Sequence, residues 1–183
     1  EPIDRIFDVV EIETMSEDEM RKFFERAFES VQMQVKPSAM DTLIHYSAGF
    51  PKIMHLVGDA VYWMDKDWVI DKDDANQAVI LAADEVGKKY VDQQVYKALR
   101  SDIYRSILEK IAKVSPDSMS FLKADMVSGL TAVEKKNFNN FLQKMKSLKV
   151  LRSGDVQGEY VFNMRMVRLY IWLQSWQKEK SNK

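Results

Sequence analysis

The sequence predicts a mainly α-helical fold: a bundle of four helices, then a second helical unit that closes on a small β-hairpin. Three observations carry this expectation. Apolar residues recur at helical spacing behind two capping boxes, Ser16-Glu17-Asp18-Glu19 and Thr131-Ala132-Val133-Glu134. The second half holds a strand–turn–strand signal, with Val150-Leu151-Arg152-Ser153 and Glu159-Tyr160-Val161-Phe162 flanking Gly154-Asp155-Val156-Gln157-Gly158. The charge also changes sign along the chain. Residues 1–93 carry 10 Lys and Arg against 20 Asp and Glu, whereas residues 94–183 carry 17 against 8. Such an asymmetry points to two domains with different partners, or to halves that attract each other.

Composition narrows the classes. The 183 residues are 46% hydrophobic, enough for one or two domains with a true core. There is no cysteine, so disulfides and thiolate chemistry are excluded, which fits a cytoplasmic protein. No apolar run approaches the roughly 18 residues of a membrane span. The first residues, Glu1-Pro2-Ile3-Asp4, have no signal-peptide character and no initiator Met, so a fragment is expected.

Taken in order, Phe7-Asp8-Val9-Val10-Glu11-Ile12-Glu13 reads as one strand whose sheet lies elsewhere. The helix capped by Ser16 turns Phe23, Phe24, Ala27 and Phe28 inward. A second helix is expected from Pro37 or Ser38 to Ser47 around Met40, Leu43 and Ile44. A third runs from Pro51 to about Met64 on Ile53, Leu56, Val57, Ala60, Val61 and Met64. The fourth opens in Asp71-Lys72-Asp73-Asp74, where acidic residues suit the helix dipole, and continues through Ala78, Ile80, Leu81, Ala83 and Val86. A helical join follows across about Gly87 to Arg100. Ile103, Ile107, Leu108 and Ile111 then share a face, Ser115-Pro116-Asp117-Ser118 makes a turn, and Phe121, Leu122 and Met126 suggest a short helix. The helix capped by Thr131 buries Phe138, Phe141, Leu142, Met145 and Leu148. After the hairpin, a last amphipathic helix carries Val167, Leu169, Tyr170, Trp172, Leu173 and Trp176, with a frayed tail from Lys178.

Two stretches are candidate sites. In Ser47-Ala48-Gly49-Phe50-Pro51-Lys52, Gly49 can close a helix in the left-handed conformation and Pro51 can start the next. Lys52 and His55 then sit on a helix-start turn that favours anions, although the same residues also make an ordinary helix corner. His45 and His55 are the two histidines, and without cysteine or matching carboxylate spacing no metal site is expected. In the helix after Thr131, Lys135, Lys136, Asn139, Asn140, Gln143, Lys144 and Lys146 lie off the apolar stripe. They read as a solvated face or as a binding surface. The order helix, short helix, capped helix, hairpin over about 101–165 is that of a winged helix–turn–helix. In such modules the third helix commonly enters the major groove and the wing, here with Arg152, tracks backbone. Other winged helices dock proteins.

Gly49-Phe50-Pro51-Lys52 resembles the sensor-2 corner of AAA+ ATPase lid domains. There a basic residue, usually Arg, reaches the nucleotide phosphates, and Lys52 would supply a point charge instead of a fork. Together with the strand over Phe7–Glu13, the Ser16 cap and the winged-helix order, the chain resembles the C-terminal part of an archaeal-type AAA+/STAND-like ATPase, as in the origin-binding initiator family. The resemblance implies a remnant of the nucleotide-binding core in 1–15, a lid-type helical domain in 16–93 and a winged-helix domain in 94–183. It implies nucleotide sensing by Lys52 with Gly49, Pro51 and His55, ATP and Mg in the full-length parent, and double-stranded DNA or a protein as the winged helix's partner. The P-loop pattern and a strand ending in paired acidic residues are absent from the sequence, and no catalytic constellation stands out. The chain alone is therefore expected not to turn over ATP.

Overall fold

The computed structural model describes residues 14–114 and 118–181. The strand expected over Phe7–Glu13, most of the turn at Ser115-Pro116-Asp117 and the last two residues of the tail lie outside the described residues. The molecule is mainly helical with two small sheets.

Helix α1 (Glu17–Ser30) starts on the expected box: Glu19 N–H donates to the Ser16 hydroxyl, and Ser16 N–H donates to the Glu19 carboxylate. Its inward face is Met20, Phe24 and Phe28, while Phe23 is half-buried and Ala27 faces solvent. Strand β1 (Gln34–Val35) leads into α2 (Pro37–Ser47), and α3 (Pro51–Met64) leads through β2 (Val69–Ile70) into α4 (Lys72–Val86). β1 and β2 pair in parallel, Gln34 with Val69 and Val35 with Ile70, so the loops after α1 and α3 are stitched together. Asp71 and Asp74 form a capping box at the start of α4. Ala78, Val79, Ala82 and Ala83 are buried there, but Ile80 and Leu81, expected inward, are 46% and 51% exposed. They lie on the face of α4 turned away from the buried alanines.

From Gly87 to Tyr96 the helix widens into a π-helical stretch and then closes through α5 (Lys97–Leu99). Ten residues exceed the usual single-turn π-bulge. Contacts with the second half hold this stretch. Tyr90 Oη donates to Leu148 O at 2.9 Å, and Tyr170 Oη donates to Asp92 Oδ2 at 2.9 Å. Gly87 lies directly under the Tyr170 ring, where an added Cβ would come within 2.1 Å of Tyr170 Cγ. Its φ is −61°, so the need for glycine comes from the contact and not from the backbone. Gly87→Ala is expected to lower stability by about 1–3 kcal/mol by overpacking. A thermal melt checks this, and an unchanged midpoint would mean that the ring moves away at no cost.

The second half comprises α6 (Asp102–Lys113), β3 (Ser120–Leu122), α7 (Lys123–Val127), α8 (Ala132–Ser147), β4 (Leu151–Ser153), β5 (Glu159–Phe162) and α9 (Arg165–Ser181). The hairpin β4–β5 forms as expected. Phe121 and Leu122, read as the start of a short helix, instead lie in β3, which adds to the hairpin and gives a three-stranded antiparallel sheet of order β3-β5-β4. Phe121 stacks on Tyr160 at 5.8 Å across that pairing, and such cross-strand aromatic pairs stabilise sheets. α9 leaves the hairpin and returns to the first half, packing across α4, the π-helical stretch, α2 and α6. Val167, Tyr170 and Ile171 are buried there, but Trp176 is 45% exposed. The buried apolar residues of both halves form one connected cluster, from Met20 to Ile171.

Candidate functional site

The helix corner is built much as the residues suggest. α2 closes at Ala48, already left-handed at φ 49°, and Gly49 continues the turn at φ 79°. The left-handed turn thus begins one residue earlier than expected. Gly49 is still required, because a Cβ there would lie 2.6 Å from Met15 O and from Thr14 Cβ. Met15 N–H donates to Gly49 O at 2.9 Å, which ties the chain entering α1 to the corner. Phe50 is the N-cap of α3 and Pro51 its first residue. Lys52 is exposed on the first turn. His55, one turn on, is exposed as well, with its ring edge-on to Phe23 at 5.1 Å. The corner therefore presents Lys52 and His55 together at the surface. His45 is elsewhere, at the end of α2, with Nε2 2.9 Å from Arg165 Nη1 of α9. Among the described residues no three His, Asp or Glu side chains are grouped to hold a metal ion.

The second candidate is the outer face of α8. Thr131 caps the helix, and Glu134 completes the box from a buried position, 5% exposed. Its carboxylate accepts from Ser106 Oγ, Lys110 Nζ and Thr131 N–H, each at 2.7 Å. Burial acts to raise the Glu134 pKa, but the bonds from Lys110, Ser106 and Thr131 outweigh it and hold the carboxyl down at about 2. In the sequence Glu134 reads only as a cap; its partners on α6 lie 24 and 28 residues away. This network docks the start of α8 on α6 and fixes which way the opposite face points.

That opposite face carries Lys135, Lys136, Asn139, Asn140, Gln143 and Lys146, all exposed, with Lys144 half-buried at its edge. Glu134 is the only carboxylate in α8, and it faces inward. Lys146 Nζ donates to Ser153 Oγ at 2.9 Å, so the last turn of α8 and strand β4 join, and exposed Arg152 sits beside them. Ser153 and the exposed Lys149, which follows α8 at φ 56°, extend the same surface and were not singled out from sequence. At the hairpin turn Glu159 folds back to accept from Asp155 N–H and Val156 N–H, near enough to Arg152 for their charges to attract, and Arg152 is the one cation of the two strands.

The fold has a likeness among solved structures. The solved structure of the Walker-type ATPase PaBY2304 of Pyrococcus abyssi superposes with a TM-score of 0.62 at 16% identity, over 86% of this chain and 42% of that one. A mutant RuvB of Thermotoga maritima matches at 15% identity over 90% of this chain and 50% of that one, with a TM-score of 0.35, too low to argue from. No family model matches the chain, and no curated protein does. The likeness to PaBY2304 concerns the fold, and this chain spans less than half of that ATPase's length. Among the described residues no helix is long and apolar enough to cross a membrane.

Proposed function

We propose that the chain is the lid and winged-helix region of a AAA+-type ATPase, and that its winged helix binds double-stranded DNA. The observation that carries the DNA reading is the outer face of α8, basic and amide-rich with its one carboxylate turned inward. Lysines on such a face neutralise phosphates and release counterions, while Asn139, Asn140 and Gln143 have the donor–acceptor pairs that read base edges. What supports the winged-helix reading is the order α6, β3, α7, α8, β4, β5 over about residues 101–165, with β3 added to the edge of the hairpin. In this reading residues 16–93 are the lid, ATP and Mg belong to the parent's core, and Lys52 with Gly49, Pro51 and His55 senses the nucleotide. The packing of α9 on both α4 and α6 offers a rigid route for that state to reach α8. Lys52→Ala in the parent chain should weaken ATP binding, and unchanged affinity would reduce the corner to a helix join.

The direct experiment is a duplex titration of this chain at about 50 and 200 mM salt. Three to five phosphate contacts give a slope of roughly −3 to −4.5 in log K against log salt. The second reading, a winged helix that docks protein, is favoured by the sparse wing, where Arg152 is the one cation of the two strands and its charge attracts Glu159 of the same hairpin. Absence of duplex binding at the lower salt would select it.

A further inference from the structure

The first half carries an exposed aromatic surface at the C-terminal end of α3, the opposite end of that helix from Lys52. α3 ends in Tyr62, Trp63 and Met64, and the turn before β2 places Trp68 beside them. Trp63 is 78% exposed and Trp68 55%, with Tyr62 edge-on to Trp63 at 5.2 Å. Trp68 has φ 66°, a region that bulky side chains rarely adopt and that costs free energy to hold. The turn is pinned in that shape: Trp68 N–H donates to Asp65 Oδ2 at 2.6 Å, Val69 N–H donates to Asp67 Oδ1 at 3.1 Å, and Trp68 O accepts from Gln34 N–H at 2.9 Å. A strained backbone thus holds a large apolar ring in water. Tyr62 also closes a groove of about 280 Å³ between α1 and α3, lined by Phe23, Phe28, Val31 and Asp59 and reaching His55 at its other end. Platform and groove are continuous through Tyr62.

The charge around the rings names the chemistry of what covers them. Asp59 lines the groove, Asp65 lines the platform and Asp67 belongs to the same turn, and Lys66 is the only Lys or Arg in the sequence between Asp59 and Trp68. The C-terminus of α3 adds the negative end of its helix dipole. Anionic phosphates and anionic lipid surfaces are repelled there, whereas a cation gains both the carboxylates and the exposed indole faces. We propose that this surface docks a basic, amphipathic segment of a partner protein. Its Arg or Lys side chains lie over Trp63 and Trp68 beside Asp65 and Asp67, and an apolar side chain enters the groove at Tyr62.

The test uses the full chain and three synthetic peptides: an amphipathic Leu/Arg helix, the same helix with Glu for Arg, and a charge-matched Arg peptide without Leu. Titration followed by tryptophan fluorescence and calorimetry should show binding of the Leu/Arg peptide alone. Trp63→Ala combined with Trp68→Gly, the glycine accepting the left-handed turn, should weaken it about tenfold or more. The same double variant should leave duplex affinity unchanged. The proposal is overturned if the double variant binds the peptide as well as the native chain, if the Leu-free peptide binds equally, or if no basic peptide binds. Sedimentation that shows a native dimer and a monomeric double variant would overturn it too, since a second copy would then cover the rings.

Discussion

Glu134→Ala is expected to lower the unfolding free energy by about 3 kcal/mol, the low end of the range for breaking a buried ion pair. The low end applies because Lys110, its partner, keeps 35% of its side chain exposed and can rehydrate. The loss also removes half of the capping box that starts α8 and strands Ser106 Oγ. Glu134→Gln keeps the shape but not the charge, and should cost less. The pH dependence has a definite sign. The carboxyl titrates near 4.5 when unfolded and at about 2 when folded, so the unfolded chain takes up its proton first. Its contribution is present in full above about pH 5 and is lost as pH falls toward 2. Glu19, Asp71 and Glu159 are also held down, mainly by hydrogen bonds from neighbouring groups, so the native chain alone does not isolate one residue. The difference between native and Glu134→Gln does. Urea unfolding at about pH 7 and about pH 3 should show that difference shrink, and a difference independent of pH would remove the ionised Glu134 from this account.

Lys135→Ala with Lys136→Ala is expected to lower duplex affinity by about 2 kcal/mol, roughly thirtyfold at low salt, for every sequence tried. Both residues are exposed on the first turns of α8, and alanine favours the helix, so stability should hardly change. The salt slope should become shallower by about 1.8, two contacts' worth of released counterions. Asn139→Ala is the contrast. It should leave the slope alone and change the ranking of sequences, since an amide reads a base edge and carries no charge. A double-lysine variant that binds as tightly as the native chain would end the DNA reading and turn the α8 face into a candidate protein-docking surface.

Much of this is local and therefore readable along the chain. The boxes at Ser16 and Thr131, the Pro51 start and the hairpin around Gly154–Gly158 depend on residues within four positions of one another, so each stands where its residues imply. The apolar stripe of α8 likewise left Lys135, Lys136, Asn139, Asn140, Gln143 and Lys146 on one outer face. Other features depend on partners that spacing cannot reveal. Ile80 and Leu81 look like core residues, yet the face of α4 that packs is its alanine face. Ser120–Leu122 is a strand because β5 offers an unpaired edge about 40 residues later. Gly87 reads only as the start of a helical join until Tyr170 is seen resting on it, and Glu134 as a cap until Ser106 and Lys110 arrive from α6. Helix starts and turns follow from hydrogen bonds and periodicity inside single segments, and the charge of each half follows from its residues alone. The route of α9 back onto α4, the strained exposure of Trp68 and the ionisation of Glu134 follow from close packing and shared hydrogen bonds between segments, which exist only once the chain has folded.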